Sequence, residues 1–257
     1  MQNACIRIDL AAARHNLALL RQAAPKARVL AVIKANAYGH GLLRMARALE
    51  AADAFAVARL DEALSLRHAG IRQRVVVLQG FVAAEELDLM YEHDLEPVIH
   101  SGFQVDRLEQ VVYARPIRVW IKLDTGMHRL GFLPAEFADY YAKLSRCRSV
   151  ASPLSLMTHF ARADEIERPE TGQQWQLFQR LLQDARDELS VANSAGILNW
   201  QETHVDWIRP GIVLYGVSPF ADGQAETQGL KPVMCFQTRL IAIKEIQTGA
   251  AVGLSLI

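Results

Sequence analysis

Eight apolar, strand-like runs recur along this chain, at residues 28–34, 54–58, 74–80, 95–100, 117–124, 153–160, 188–194 and 205–211. Helical patterns separate the first seven of them, at 42–52, 60–70, 83–94, 102–113, 134–147 and 173–186. In the last of these Trp175, Phe178, Leu181 and Leu182 recur at three- and four-residue spacing, the period of one helix face. A further helix over 10–24 has Asp9 in place to cap it. Several strands are apolar on both faces, which a parallel sheet covered by helices requires. Eight such units in 257 residues fit a TIM-type (β/α)8 barrel, whose usual size is ~250 residues. A doubly wound open sheet is the alternative, but no G-x-G-x-x-G follows the first strand. The segment 232–257 has no helical period and reads as one or two strands with a turn near Thr248–Gly249. The expected division is therefore a barrel over 1–231, then the start of a β-rich domain over 232–257 that is cut short.

Composition narrows the function. Lys+Arg and Asp+Glu both number 28, so no basic footprint for nucleic acid or an anionic membrane is present. Cys5, Cys147 and Cys235 are odd in number and far apart. They build neither a disulfide framework nor a metal site, and free thiols suit a reducing cytoplasm. No apolar stretch is long enough to span a bilayer.

Active sites of (β/α)8 barrels lie at the C-terminal ends of the strands, and the unusual polar residues fall there. Lys34 and Tyr38 follow the first strand, and Lys122, Asp124 and Arg129 the fifth. His159 and Arg162 follow the sixth, Asn193 and Ser194 the seventh, and Arg209, Gly211 and Ile212 the eighth. Lys34 ends a buried run, where desolvation favours the neutral amine that condenses with carbonyls. The loops after strands seven and eight are the frequent phosphate site of this fold. Ser194 offers a hydroxyl there, and Gly211 lets backbone N–H groups approach an anion. A reactive amine beside a phosphate site points to a phosphorylated aldehyde cofactor, for which pyridoxal phosphate (PLP) is the candidate. An arginine such as Arg209 facing its ring nitrogen would leave that nitrogen neutral, weaken the electron sink and favour proton exchange over transamination.

The segments AVIKANAYGHG, KLDTGMHRLG, THFARAD and WIRPGIVLYG together resemble the bacterial fold-type III alanine racemases, with a match running from about Arg7 to Gly253. The resemblance implies PLP-dependent interconversion of L- and D-alanine, with Lys34 as carrier of PLP and as the base for the Cα proton of D-alanine. It implies phosphate contacts from Tyr38, Ser194, Gly211 and Ile212, and pocket walls from Leu78 and Asn193. It places Arg209 against the pyridine nitrogen, with His159 hydrogen-bonded to it. Arg129 would contact the cofactor's phenolic oxygen and the substrate, positioned by a carbamylated Lys122. Alternation with Ile121 and Leu123 would equally let Lys122 point outward. Family members are longer and form head-to-tail homodimers, in which a C-terminal β domain supplies a tyrosine as the second base. Here Leu254 stands at the tyrosine position, and leucine transfers no proton. The expectation is an impaired racemase, or one limited to proton exchange on D-alanine. A non-catalytic barrel that carries PLP is the alternative, and an aggregating remnant the third reading.

Overall fold

A computed structural model describes residues 4–182, 188–221 and 229–251. After the strand β1 (Ala4–Ile8) and helix α1 (Leu10–Ala23), eight strands close into a barrel. They are β2 (Arg28–Val32), β3 (Ala54–Val57), β4 (Arg74–Val77), β5 (Glu96–Ile99), β6 (Trp120–Lys122), β7 (Ser155–Met157), β8 (Glu188–Ser190) and β9 (Trp207–Ile208). Every neighbouring pair is parallel, and β9 returns to β2 with Arg28 opposite Trp207 and Val29 opposite Ile208. Between the strands lie α2 (Lys34–Tyr38), α3 (Leu42–Ala48), α4 (Leu60–His68), α5 (Ala84–Glu92), α6 (Gly102–Gln110), α7 (Pro134–Arg146), α8 (Glu170–Leu181) and α9 (Ser194–Asn199). Asp9 caps α1 as its position suggests, Oδ1 accepting from the N–H groups of Ala11 and Ala12 at 2.9 and 3.0 Å.

Two apolar layers explain why the strands lack polar alternation. Leu30, Val32, Ala54, Ala56, Val76, Val98, Trp120, Met157 and Trp207 fill the barrel interior. Val29, Ala31, Phe55, Val57, Val75, Val77, Ile121 and Leu156 face the surrounding helices. Charged residues close the N-terminal end. The Glu96 carboxylate accepts from Arg74 Nε and Nη2 (2.7 and 2.9 Å), Arg118 Nε (2.8 Å) and Trp120 Nε1 (2.9 Å). Glu188 beside it takes Arg28 (2.9 Å), Arg74 Nη1 (3.1 Å) and Trp207 Nε1 (3.2 Å). The guanidinium groups of Arg28 and Arg74 also lie over the Trp207 ring. Trp120 and Trp207 meet edge to face at 6.1 Å. The two rings thus combine core packing with anchoring of this network.

The structure departs from the sequence reading at several ends. The strands are shorter than the apolar runs: residues 123–124, 158–160 and 209–211 lie outside the regular strands and form the barrel rim, although Leu123, Thr158 and Arg209 still donate backbone bonds to Met157, Ser190 and Ala192. β1 was not expected. It pairs antiparallel with β10 (Met234–Thr238), Ala4 opposite Thr238 and Ile8 opposite Met234. That partner lies more than two hundred residues away, beyond the reach of any local pattern. Residues 239–247 form no regular element, and a turn occupies Thr248–Gly249 as expected. Leu254 lies outside the described residues. No helix among them is long and apolar enough to cross a membrane.

Candidate active site

Lys34 leaves β2 through an unusual backbone. Ala35, Asn36, Ala37 and Tyr38 have φ of 53°, 54°, 54° and 52°, so α2 is a left-handed turn, a conformation that costs each L-residue roughly 1–2 kcal/mol. The surroundings hold it. Glu62 of α4 accepts from the N–H of Asn36 through Oε1 and from that of Ala58 through Oε2, both at 3.0 Å. Asn36 Oδ1 accepts from Leu42 N at 2.9 Å. His40 Nδ1 lies 3.0 Å from the carbonyls of both Ala37 and Tyr38. Both are acceptors, so Nδ1 carries the proton. The His40 and Tyr38 rings pack on Tyr215, whose hydroxyl donates to Val32 O at 3.1 Å.

A cleft of about 660 Å³ opens at the C-terminal end of the barrel, within the ~300–1,000 Å³ typical of small-ligand sites. Eleven of the thirteen residues singled out by sequence line it: Lys34, Tyr38, Leu78, Lys122, Arg129, His159, Asn193, Ser194, Arg209, Gly211 and Ile212, whereas Asp124 and Arg162 do not. Arg129 stands at its mouth as an exposed side chain. Lys122 points inward and is buried, as Trp120 two residues earlier is, which excludes the outward orientation that alternation left open.

The electrostatics are strongly cationic. Arg209 is 4% exposed and donates to Ser190 Oγ (2.7 Å), Val191 O (3.2 Å) and Thr158 O. Burial presses its pKa to about 10, so it stays charged at neutral pH. Its Nη2 lies 3.4 Å from His159 Nδ1. A guanidinium only donates, so Nδ1 accepts and Nε2 carries the imidazole proton. Burial, then the cations Arg209, Lys122, Arg129 and Lys34, hold His159 neutral, well below the usual histidine range. Lys122 is pushed down to about 8 by burial and by Arg209 and Arg129, against a smaller opposing effect of Asp124. Burial and then Arg129 lower Lys34, with Glu62 opposing.

At the opposite wall, Ser194 opens α9, a helix that the sequence reading missed. Asn193 caps it by accepting from Gly196 N at 3.0 Å. Gly211 N donates to Ser194 Oγ at 3.0 Å. A Cβ at Gly211 would lie 2.7 Å from Tyr38 Oη. Glycine therefore keeps open a niche bounded by the Tyr38 and Ser194 hydroxyls.

Buried polar groups brace the rim, among them Asp124, which the sequence placed there, and Gln174, Thr125 and Thr158, which it did not single out. Burial opposes ionisation of Asp124, but its contacts with His128 and Gly126 outweigh this and hold the carboxylate below its usual range. Oδ1 accepts from Gly126, Met127 and His128 N–H at 3.0, 3.1 and 3.0 Å. The loop bearing Arg129 is thereby wrapped around it. Gln174 of α8, 3% exposed, donates to Thr125 Oγ1 (3.2 Å) and His159 O (3.1 Å) and accepts from Ala161 N (2.9 Å). Thr158 Oγ1 donates to Leu123 O at 3.0 Å. Its contact with Thr125 Oγ1, at 2.7 Å, therefore has Thr125 as donor. Gln174, Thr125 and Thr158 thus form a directed chain joining the loops after β6 and β7. Gln174→Ala is expected to cost about 2 kcal/mol, since one buried and two partly buried partners lose their bonds. It should also lower the thermal midpoint measured by circular dichroism.

Fold and cleft define a (β/α)8 barrel with a cationic ligand site at its C-terminal mouth. The family model described as "Alanine racemase, N-terminal domain" matches residues 8–219. An alanine racemase of Aeromonas hydrophila is 46% identical over 253 residues, covering 98% of this chain and 71% of that protein. One of Shewanella woodyi is 47% identical, covering 96% and 69%. The biosynthetic alanine racemase structure from Pseudomonas aeruginosa superposes with a TM-score of 0.93 at 42% identity, over 99% of this chain and 71% of that one. The chain belongs to the alanine racemase family.

Proposed function

We propose that this chain acts on alanine, with Lys34 moving the Cα proton of D-alanine and PLP as the cofactor. The observation carrying this reading is that the half-buried Lys34 amine and the niche of Tyr38, Ser194 and Gly211 open into one cleft. PLP fits the residues present. A phosphate suits the niche that a Cβ at Gly211 would fill. The cations Lys122, Arg129 and Arg209 suit an anionic ligand, with Ile212, Leu78 and Asn193 as further walls. When bound through Lys34, PLP supplies an electron sink that acidifies the Cα–H of an amino acid.

The protein's own groups set how that acidity is used. Arg209, fixed by Ser190 Oγ and backbone carbonyls, would keep a ring nitrogen placed against it unprotonated, which would weaken the sink and favour return of the proton. His159 accepts from Arg209 and fixes its tilt. Lys34, its amine favoured in the neutral form by burial and Arg129, takes and returns the proton. Lys122, pushed down to about 8, has an appreciable neutral fraction near neutral pH and suits reaction with carbon dioxide. That step forms an N–C bond, releases a proton and leaves a carbamate anion able to hold Arg129.

The test is Cα–H exchange of each alanine enantiomer in deuterated buffer with added PLP, followed by NMR. Exchange from D-alanine that disappears in Lys34→Ala is the expected result. Exchange that survives Lys34→Ala, or none from either enantiomer with PLP bound, overturns the assignment.

A further inference from the structure

We propose that Glu62 is a positioning residue for the Lys34 amine, its carboxylate locking the left-handed turn behind Lys34 to the end of β3 and standing as the amine's counter-charge. This rests on the reading of Lys34 as the reactive amine. A glutamate at the third position of a helix ordinarily folds back on its own cap, and Glu62 holds that position in α4, after Arg59. Here one oxygen does reach back to the chain just before the cap, and the other crosses to a second strand end. Oε1 takes the N–H of Asn36 beyond β2, and Oε2 that of Ala58 beyond β3, each at 3.0 Å. Ala58 itself lines the cleft.

The bridge carries both strain and charge. Four consecutive positive-φ residues, none of them glycine, persist only where the surroundings over-determine them. Charge-assisted bonds to backbone N–H are the strong kind. The other groups acting with the amine are cationic or neutral. Arg129 comes from the loop after β6 and lowers the amine's proton affinity. Lys122 on β6 and His159 after β7 each feel the amine and are themselves depressed by Arg129 and Arg209. Glu62 alone among the contributors to Lys34 favours the ammonium form. It therefore opposes part of the depression that burial and Arg129 impose on the amine, while the same oxygens fix the backbone that aims it.

The test uses the ligand-free full chain and no turnover. Competitive labelling with acetic anhydride across a pH series, read by mass spectrometry, gives the midpoints of Lys34 and Lys122 separately. Glu62→Gln should move the Lys34 midpoint to lower pH and make its labelling near neutrality several-fold faster, with Lys122 unmoved. Glu62→Asp keeps the charge but is too short to reach both strand ends. It should leave the Lys34 midpoint closer to wild type and accelerate amide hydrogen exchange at Asn36 and Ala58. An unmoved Lys34 midpoint in a folded Glu62→Gln variant overturns the proposal. If that variant does not fold, unchanged exchange at Asn36 and Ala58 in Glu62→Asp overturns it instead. Failure of the alanine assay with Lys34→Ala would sink the reading of Lys34 and leave these midpoints intact, so the two failures are distinguishable.

Discussion

Replacing Glu96 by glutamine is expected to lower the free energy of unfolding by about 3–5 kcal/mol, the usual result of breaking a buried ion pair from one side. Glu96 is 1% exposed and accepts four hydrogen bonds, two from Arg74 and one each from Arg118 and Trp120. A glutamine has one acceptor oxygen for those four donors, and its amide presents hydrogens to guanidinium groups that cannot accept. Arg74 keeps only Glu188 as an acidic neighbour, and Arg118 keeps the exposed Asp94 at 3.5 Å. Urea denaturation monitored by circular dichroism measures the loss. The Glu96→Gln/Arg74→Met double variant should be less destabilised than the sum of the two single changes, because the second removes a charge that the first leaves stranded. Additive losses would mean that the network is worth no more than its separate contacts. Affinity for the proposed cofactor should not change, since the network sits at the opposite end of the barrel from the cleft.

Lys122→Met is expected to act in the other direction, making the ligand-free protein about 3 kcal/mol more stable at pH 7. Burial first, then Arg209 and Arg129, lower the Lys122 pKa from 10.5 to about 8, and each unit corresponds to about 1.4 kcal/mol. The sign follows from linkage. Between pH 8 and 10.5 the unfolded chain binds a proton that the folded chain has released, so wild-type stability rises with pH across that window. Below it the folded state bears the full penalty of a buried ammonium, which methionine of similar length lacks. The advantage of Lys122→Met should therefore be complete at pH 7, shrink through the window and vanish above it. Denaturation series in carbon-dioxide-free buffer at several pH values would show this. A constant difference at all pH values would assign the gain to packing instead of charge. Added bicarbonate should narrow the difference for wild type alone, since a carbamate removes the ammonium. Stability gained at the expense of a candidate functional group is the trade expected if the cleft is an active site.

The barrel was legible in the sequence because its signal is local. Each apolar run between helical patterns marks one strand, and each polar residue at the C-terminal end of a run marks the rim. That rule alone gathers Lys34, Lys122, His159, Asn193 and Arg209 at one mouth, and the cleft contains them all. The resemblance added Leu78, which carries no polar signal of its own. Groups that act across the fold were not legible. Gln174 reads as an ordinary polar residue on a helix, and only packing shows it buried between two loops. Glu62 reads as an acidic residue in a first helical turn, which is common, and nothing local says that it reaches Asn36. The pairing of β1 with β10 joins the ends of the described chain, so no window along the sequence contains both partners. The direction of Lys122 depended on the pleat of β6, whose apolar neighbours on both sides left no contrast to read.

The turn after Lys34 has one more consequence, and it concerns chirality. At Ala35 and Ala37 the backbone adopts φ of 53° and 54°, the region that an L-alanine enters at a cost and its mirror image enters freely. A semisynthetic chain carrying D-alanine at those two positions would relieve the backbone cost there, while its inverted methyl at the buried Ala37 would have to be accommodated by the core. Belonging to a family named for inverting alanine, this chain thus holds two of its own alanines in the shape of the opposite enantiomer, immediately beside its candidate reactive amine.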